Sequence, residues 1–366
     1  IAYEFGADMA RQNIRYAEAT FVPHISVVNT GLPFEEILDG LNDGRARARE
    51  DFGVDLHWVL EIVRDNPETR HQVAEWAASA RDRGVVGLGL GGTEQGHPPE
   101  WFADAFAVAR EAGVHSLPHA GEVDGPESVW GAIRALGAER IRHGVRSVED
   151  QALVAYLRDR QIPLEVCPTS NLCLGVYPSY EEHPIRWLWE QGVYVTVNSD
   201  DPPMFNTDLV NEYQMLANHL DFTTGELEQM SLSALRASYL PVERKVALEQ
   251  EFGTEFARLR AKYPASSGPL CQEFLRLKRT STAVSIDIPA CHCEGAPFAP
   301  EAIPFCVPGG NRFGAQLPMF SRPPRSIPDV WLRCCATFWS MPCATRHPAA
   351  RYRCRLHPHP RLCRLP

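Results

Sequence analysis

Short apolar runs alternate with helical stretches from residue 13 to residue 198, and this alternation limits the fold more than any other property of the chain. Strand-like runs fall at 13–21, 57–63, 84–92, 114–120, 140–143, 162–167 and 193–198. Helical periodicity fills the intervals at 33–51, 67–82, 98–112, 126–136, 148–158 and 184–191. In the third of these, Phe102, Ala105, Phe106 and Val108 are available for one apolar face. Strands separated by helices pair in parallel, because the chain must cross a face of the sheet before it re-enters.

Seven such units predict an α/β fold: a (β/α)8 TIM barrel lacking its first strand, with its site at the C-terminal ends of the strands. An open doubly wound sheet is the alternative, but no Gly-x-Gly-x-x-Gly follows an early strand. After the last strand, residues 207–219, 224–239 and 242–262 have the pattern of extra C-terminal helices.

Composition divides the chain in two. Up to Lys278 it holds 25 of the 36 Lys+Arg and 42 of the 46 Asp+Glu. From Arg279 onward there are 11 Arg, no Lys and 4 acids, with 8 of the 11 Cys and 14 of the 30 Pro. Proline at that density blocks helices and ladders alike. We therefore expect a folded, N-terminally truncated body at 1–278 and a non-globular tail at 279–366, either disordered or an out-of-frame reading. Arginine without lysine, beside abundant Pro and Cys, favours the out-of-frame origin. A basic interaction segment is a second reading of the tail. Metal or disulfide groups at Cys291-His292-Cys293 and Cys334-Cys335 are a third, although no Cys-x-x-Cys pair with a partner occurs there.

A net charge of −10 argues against a general nucleic-acid surface. No apolar run approaches the roughly 18 residues that cross a membrane. Ile1-Ala2-Tyr3-Glu4-Phe5 lacks the basic start and apolar core of a secretory signal. The body's few thiols, Cys167, Cys173 and Cys271, suit a reducing compartment, so a cytoplasmic location is expected. Oligomeric state leaves no legible mark.

Polar residues gather at the strand ends. The last strand runs into Ser199-Asp200-Asp201-Pro202. Adjacent carboxylates repel, and are tolerated beside a cation or a protonated partner. The strand at 114–120 ends in His119 and leads to Glu122, the next ends in His143, and the strand at 84–92 ends Gly91-Gly92-Thr93-Glu94. Taken singly, each has a bland reading: a half-buried loop histidine, a turn, an acidic first turn of a helix. Together they place histidines and carboxylates where a barrel builds its site. Such residues are ligands for a divalent transition metal, most commonly zinc, which makes water nucleophilic near neutral pH.

The segments S-L-P-H-A-G-E at 116–122, R-H-G at 142–144, C-P-T-S-N at 167–171 and N-S-D-D-P-P-M-F at 198–205 carry a resemblance. From about residue 13 to 249 the chain resembles the adenosine deaminase family of metal-dependent aminohydrolases. The resemblance implies His119 and Asp200 as ligands of one Zn2+ per chain. It implies Glu122 as the acid that protonates purine N1, and His143 as the residue that handles the proton of the attacking water. Asp201 would meet the N7 side of the purine, and the Gly92 amide would face N3. The activity implied is hydrolytic deamination of the 6-amino group of adenosine, to inosine and ammonia, or of a related adenine-bearing compound.

Aminodeoxyfutalosine or adenine deaminase is the alternative within the family. Gly89-Leu90-Gly91-Gly92-Thr93-Glu94 stands where adenosine deaminases usually carry Asp-Leu-Ala-Gly-x-Glu. The family's first-strand His-x-His pair has no counterpart before residue 13, and no strand frames His357-Pro358-His359. Weak or absent zinc binding and low or no activity are therefore expected of this chain, and a catalytically impaired purine-binding member is a further alternative. Another kind of barrel metallohydrolase would need a Lys at a strand end between two metals, and no strand end carries one. The expected partner is a small-molecule purine.

Overall fold

The computed structural model describes residues 1–263, so the expectations for Cys271 and for the tail from Arg279 lie outside the described residues. Seven strands form one sheet in sequence order, and every pairing is parallel. They are β1 (Tyr16–Phe21), β2 (Asp55–Val63), β3 (Val85–Gly91), β4 (His115–Ala120), β5 (Ile141–His143), β6 (Leu164–Val166) and β7 (Val195–Val197). The sheet is open between β7 and β1. This is the curled, barrel-like α/β architecture expected from the alternation.

The curvature shows in side chains that meet across the interior. In a flat sheet β1 and β5 would lie about 19 Å apart, four strand spacings. Yet Arg140, at the entry to β5, pairs with Glu18 of β1 and lies 3.0 Å from Glu165 of β6. Arg142 of β5 lies 3.4 Å from Glu165 and 3.5 Å from Glu61 of β2. Only a curled sheet brings these groups together. The inner face is thus a ladder of alternating charge, whereas barrels of this type usually fill it with branched aliphatics. The outer face is apolar: Leu56, Trp58, Leu60, Ile62, Leu88 and Leu90 are buried under the helices.

The helices wrap that outer face. Ahead of β1 lies α1 (Ala2–Arg11), which sequence pattern did not reveal. After β1 come α2 (Pro23–Thr30) and α3 (Phe34–Phe52). Then α4 (Arg70–Ser79), α5 (Ala103–Glu111), α6 (Pro126–Leu136) and α7 (Gln151–Arg160) each return the chain to the next strand. In α5 the buried face is Ala105, Phe106 and Ala109, with Phe102 just before it; Val108, expected there, is 40% exposed, because the helix starts at Ala103 after a 3-10 turn that shifts the phase. Two short helices follow strands directly, α8 (Pro168–Cys173) after β6 and α10 (Pro202–Phe205) after β7, with α9 (Ile185–Glu190) between them. Both open on proline, which has no N–H to lose at a helix start.

The C-terminal helices are α11 (Leu209–His219), α12 (Thr224–Ala237) and α13 (Val242–Lys262). Asp208 caps α11, and Thr223 with Glu226 forms a capping box on α12. Leu248 of α13 packs with Leu235 and Leu240, against Tyr16 of β1. Among the described residues no helix is long and apolar enough to cross a membrane.

Candidate active site

All the site residues expected from sequence lie at C-terminal strand ends. His119 is on β4, His143 ends β5, Asp200 and Asp201 follow β7, Gly92 follows β3, and Glu122 lies in the turn after β4. His119, His143 and Asp200 each offer a ligand atom within 4.8 Å of the others. Glu122 joins them, its Oε1 being 3.6 Å from His143 Nδ1. On the other edge of the ring, His143 Nε2 is 3.7 Å from Asp200 Oδ2. Gly92 stands on the β2–β3 side of the mouth, against Asp65.

The backbone is unusual at this place. His143 and Asp200 both have positive φ, 62° and 54°. Left-handed residues with side chains cost about 1–3 kcal/mol and persist only where the surroundings hold them. Here Ser170 at the start of α8 holds Asp200, its hydroxyl donating to Oδ2 at 2.7 Å. Glu212 of α11 accepts the Thr169 N–H at 3.1 Å and the Thr207 hydroxyl, which ties the β6 and β7 ends together. Gly92 has φ 89°, and a Cβ there would stand 2.5 Å from Asp65 Oδ2, so only glycine fits. Asp65 in turn accepts the Thr93 N–H at 2.9 Å. Burial would raise the Asp65 carboxyl, but the Thr93 hydrogen bonds outweigh it and hold it below its ordinary value.

Two buried glutamates, to which the sequence reading gave no role, shape the site. Glu61 of β2 reaches across β3, and its Oε1 lies 2.9 Å from His119 Nδ1. That nitrogen is also 3.1 Å from Leu90 O. Both neighbours are acceptors, so Nδ1 carries the hydrogen and Nε2 is left with a lone pair directed at the site. Gly89 and Gly91 leave room for this reach: a Cβ on Gly91 would stand 2.7 Å from Glu61 Cδ. The second glutamate, Glu94, takes the N–H groups of Val123 and Asp124 at 2.9 Å, that of Glu122 at 3.2 Å, that of Gly121, and the Ser128 hydroxyl at 2.5 Å. It therefore fixes the turn that carries Glu122.

The charge pattern follows from these contacts. Burial works to raise Glu61, but His119 and Arg142 hold it below the usual carboxylate range. Burial works to lower His119, and the Glu61 carboxylate more than offsets that and raises it. Asp200 is depressed: His143, His119 and the Ser170 hydroxyl outweigh its burial. Asp201 goes the other way, pushed up to about 6 by burial and by the Asp200 carboxylate beside it. The adjacent carboxylates thus divide into an ionised one and one that holds its proton more readily.

The donor chemistry fits a divalent transition metal. An imidazole with its lone pair directed inward by a carboxylate partner, and an ionised aspartate held by a serine, are ligands of the kind zinc takes. Asn171 of the 167–171 segment and His183 lie behind His143. No role for either was legible, because the signal is a spatial contact rather than a spacing.

The profile of the adenosine deaminase family matches residues 1–254. The chain is 42% identical over 257 residues to an aminodeoxyfutalosine deaminase from Streptomyces coelicolor, a match covering 69% of this chain and 66% of that protein. An adenosine deaminase from Klebsiella pneumoniae is 37% identical over 250 residues, with 68% and 75% covered. Among solved structures, a zinc-bound amidohydrolase from Burkholderia ambifaria superposes with a TM-score of 0.68 at 28% identity, covering 71% of this chain and 73% of the other. The chain thus spans about two thirds of the length of the Streptomyces relative.

Proposed function

The chain belongs to the adenosine deaminase family, and from that premise we propose that it hydrolytically removes the 6-amino group of an adenine-bearing compound with the help of one zinc ion. The observation that carries this reading is the contact of Glu122, His143 and Asp200 at one mouth, with His119 beside them. His119 and Asp200 would hold the metal. Zinc, when bound, lowers the pKa of water towards neutrality.

The chain's own groups account for the rest. Glu122 gives a proton to ring N1, which turns the purine into an acceptor for attack at C6. His143 is the hydrogen-bonding partner of the attacking water. Purine N7 is an acceptor, so a carboxyl that faces it must carry a proton, and Asp201 at about 6 is suited to that. The Gly92 amide faces N3. The partner on this reading is a small-molecule purine, since a net charge of −10 argues against a nucleic-acid surface, and the body's few thiols suit a cytoplasmic location.

Identity to the Streptomyces coelicolor protein favours aminodeoxyfutalosine over adenosine as the substrate. The test is zinc content together with ultraviolet loss of the 6-aminopurine on adenosine, aminodeoxyfutalosine and adenine. Turnover of any one of them, abolished by Glu122→Gln, supports the reading. Stoichiometric zinc with no turnover of all three would overturn it.

A further inference from the structure

We propose that Asn171 and His183 are positioning residues that decide which nitrogen of His143 carries its hydrogen, so that His143 meets the site as a hydrogen-bond donor and not as a metal ligand. The proposal deepens the deaminase reading, and only its chemical consequence rests on that reading.

One hydrogen behind the site is fixed in place. The backbone N–H of Ile185, the first residue of α9, donates to His183 Nδ1 at 3.2 Å. A neutral imidazole has one N–H and one lone pair, so the His183 hydrogen sits on Nε2. The ring is neutral because burial pushes it down to about 3. His183 Nε2 lies 3.1 Å from Asn171 Oδ1 and donates to it. This orients the amide, and Asn171 Nδ2 then faces His143 Nδ1 at 3.3 Å and Glu122 Oε1 at 3.4 Å.

A reversed amide would set NH2 against the His183 N–H, donor against donor, so the backbone amide of Ile185 fixes the direction of the whole chain of hydrogen bonds. With Nδ1 accepting, neutral His143 carries its hydrogen on Nε2, the nitrogen that faces Asp200. An N–H presented there has no lone pair for a metal. It can donate to the oxygen of an attacking water. His119 is set the opposite way by Glu61, with its Nε2 free. Two histidines whose rings are 5.3 Å apart are thereby assigned different work by what stands behind them.

The test uses the full chain labelled with 15N-histidine, freed of metal by a chelator and held at pH 8. Long-range 1H–15N spectra read the tautomer of each ring, and His143→Gln and His183→Gln assign the signals. Both His143 and His183 are expected as Nε2–H forms; Nδ1–H at His143 overturns the proposal. Asn171→Asp replaces the donor by an acceptor of the same shape. It is expected to move the His143 hydrogen to Nδ1, and to lower kcat at least tenfold with KM changed less than twofold. Asn171→Ala deletes the amide and is expected to give both His143 tautomers. Either variant, folded and with His143 still wholly Nε2–H, overturns the proposal. If neither folds, the wild-type spectrum decides. Absence of deaminase turnover with the expected tautomers would remove the function and leave the positioning intact.

Discussion

Replacing Glu94 by glutamine changes one atom and dismantles the cradle under the catalytic turn. In the wild type one carboxylate accepts five hydrogen bonds: Oε1 from the Gly121 N–H and the Ser128 hydroxyl, Oε2 from the N–H groups of Glu122, Val123 and Asp124. Glutamine has one oxygen. Its best orientation keeps that oxygen among the three N–H groups and turns NH2 towards the Gly121 N–H, where donor meets donor. The Ser128 hydroxyl can rotate to accept, but the Gly121 N–H cannot. Its loss costs about 1–3 kcal/mol, and the three remaining bonds fall from charge-assisted to neutral strength at about 0.5–1 kcal/mol each.

The sum is roughly 2.5–6 kcal/mol, or about 10 °C in Tm for a body of this size. Urea and thermal unfolding followed by tryptophan fluorescence measure it. The sign with pH gives a second reading. The N–H groups and the Ser128 hydroxyl overcome burial and depress Glu94. Its stabilisation is therefore complete above the unfolded carboxylate value of about 4.3 and is lost as pH falls through the lower folded value. The gap between wild type and Glu94→Gln must narrow in that window. A destabilisation below about 1 kcal/mol at pH 7, or a gap unchanged at pH 3.5, would refute the reasoning.

Three further outcomes are expected. Gly92→Ala meets both a positive φ and the Asp65 carboxylate, and urea unfolding is expected to show a loss of about 2–3 kcal/mol. Arg140→Met leaves Glu18 buried without its cation and Glu165 with Arg142 alone, for about 3–5 kcal/mol by the same assay, and replacing Glu18 as well recovers most of it. His183 is 3% exposed and depressed to about 3, so the unfolded chain takes up its proton first. Its contribution is full above about 6.5 and falls by about 2 kcal/mol on going to pH 5, and a His183→Gln variant measured across that range lacks this slope.

The alternation of strands and helices was legible because the outward faces of the strands are apolar and each helix returns the chain to the sheet. The inward faces were not. Glu61 within Leu60-Glu61-Ile62 and Glu165 within Leu164-Glu165-Val166 are lone charges in apolar strands; the partners of Glu61 lie far along the chain on β4 and β5, and Glu165 meets its cross-strand neighbour Arg142, a register no single strand records. α1 escaped notice because two of its three buried residues, Ala2 and Gly6, are small and mark an apolar face only weakly. α8 and α10 hid because prolines that open a short helix look like prolines that merely end a strand. His119, Glu122, His143, Asp200 and Asp201 stood out because each sits at a strand end in a short distinctive segment. Asn171 and His183 support the site through hydrogen bonds, which no spacing records.

The empty inner face of β3 has a consequence for how this barrel can change over generations. A Cβ on Gly91 would stand 2.8 Å from Glu61 Oε1, and Glu61 is bound to Arg142. A lineage therefore cannot acquire a side chain at position 91 while it keeps glutamate at position 61. It cannot shed that glutamate without leaving Arg142 with Glu165 alone and His119 without its carboxylate partner. The three positions are inherited as a block, and one passes through a poorly folded intermediate unless the others change with it. The outward-facing Leu60, Ile62, Leu88 and Leu90 carry no such bond and are free to exchange one at a time for other aliphatics.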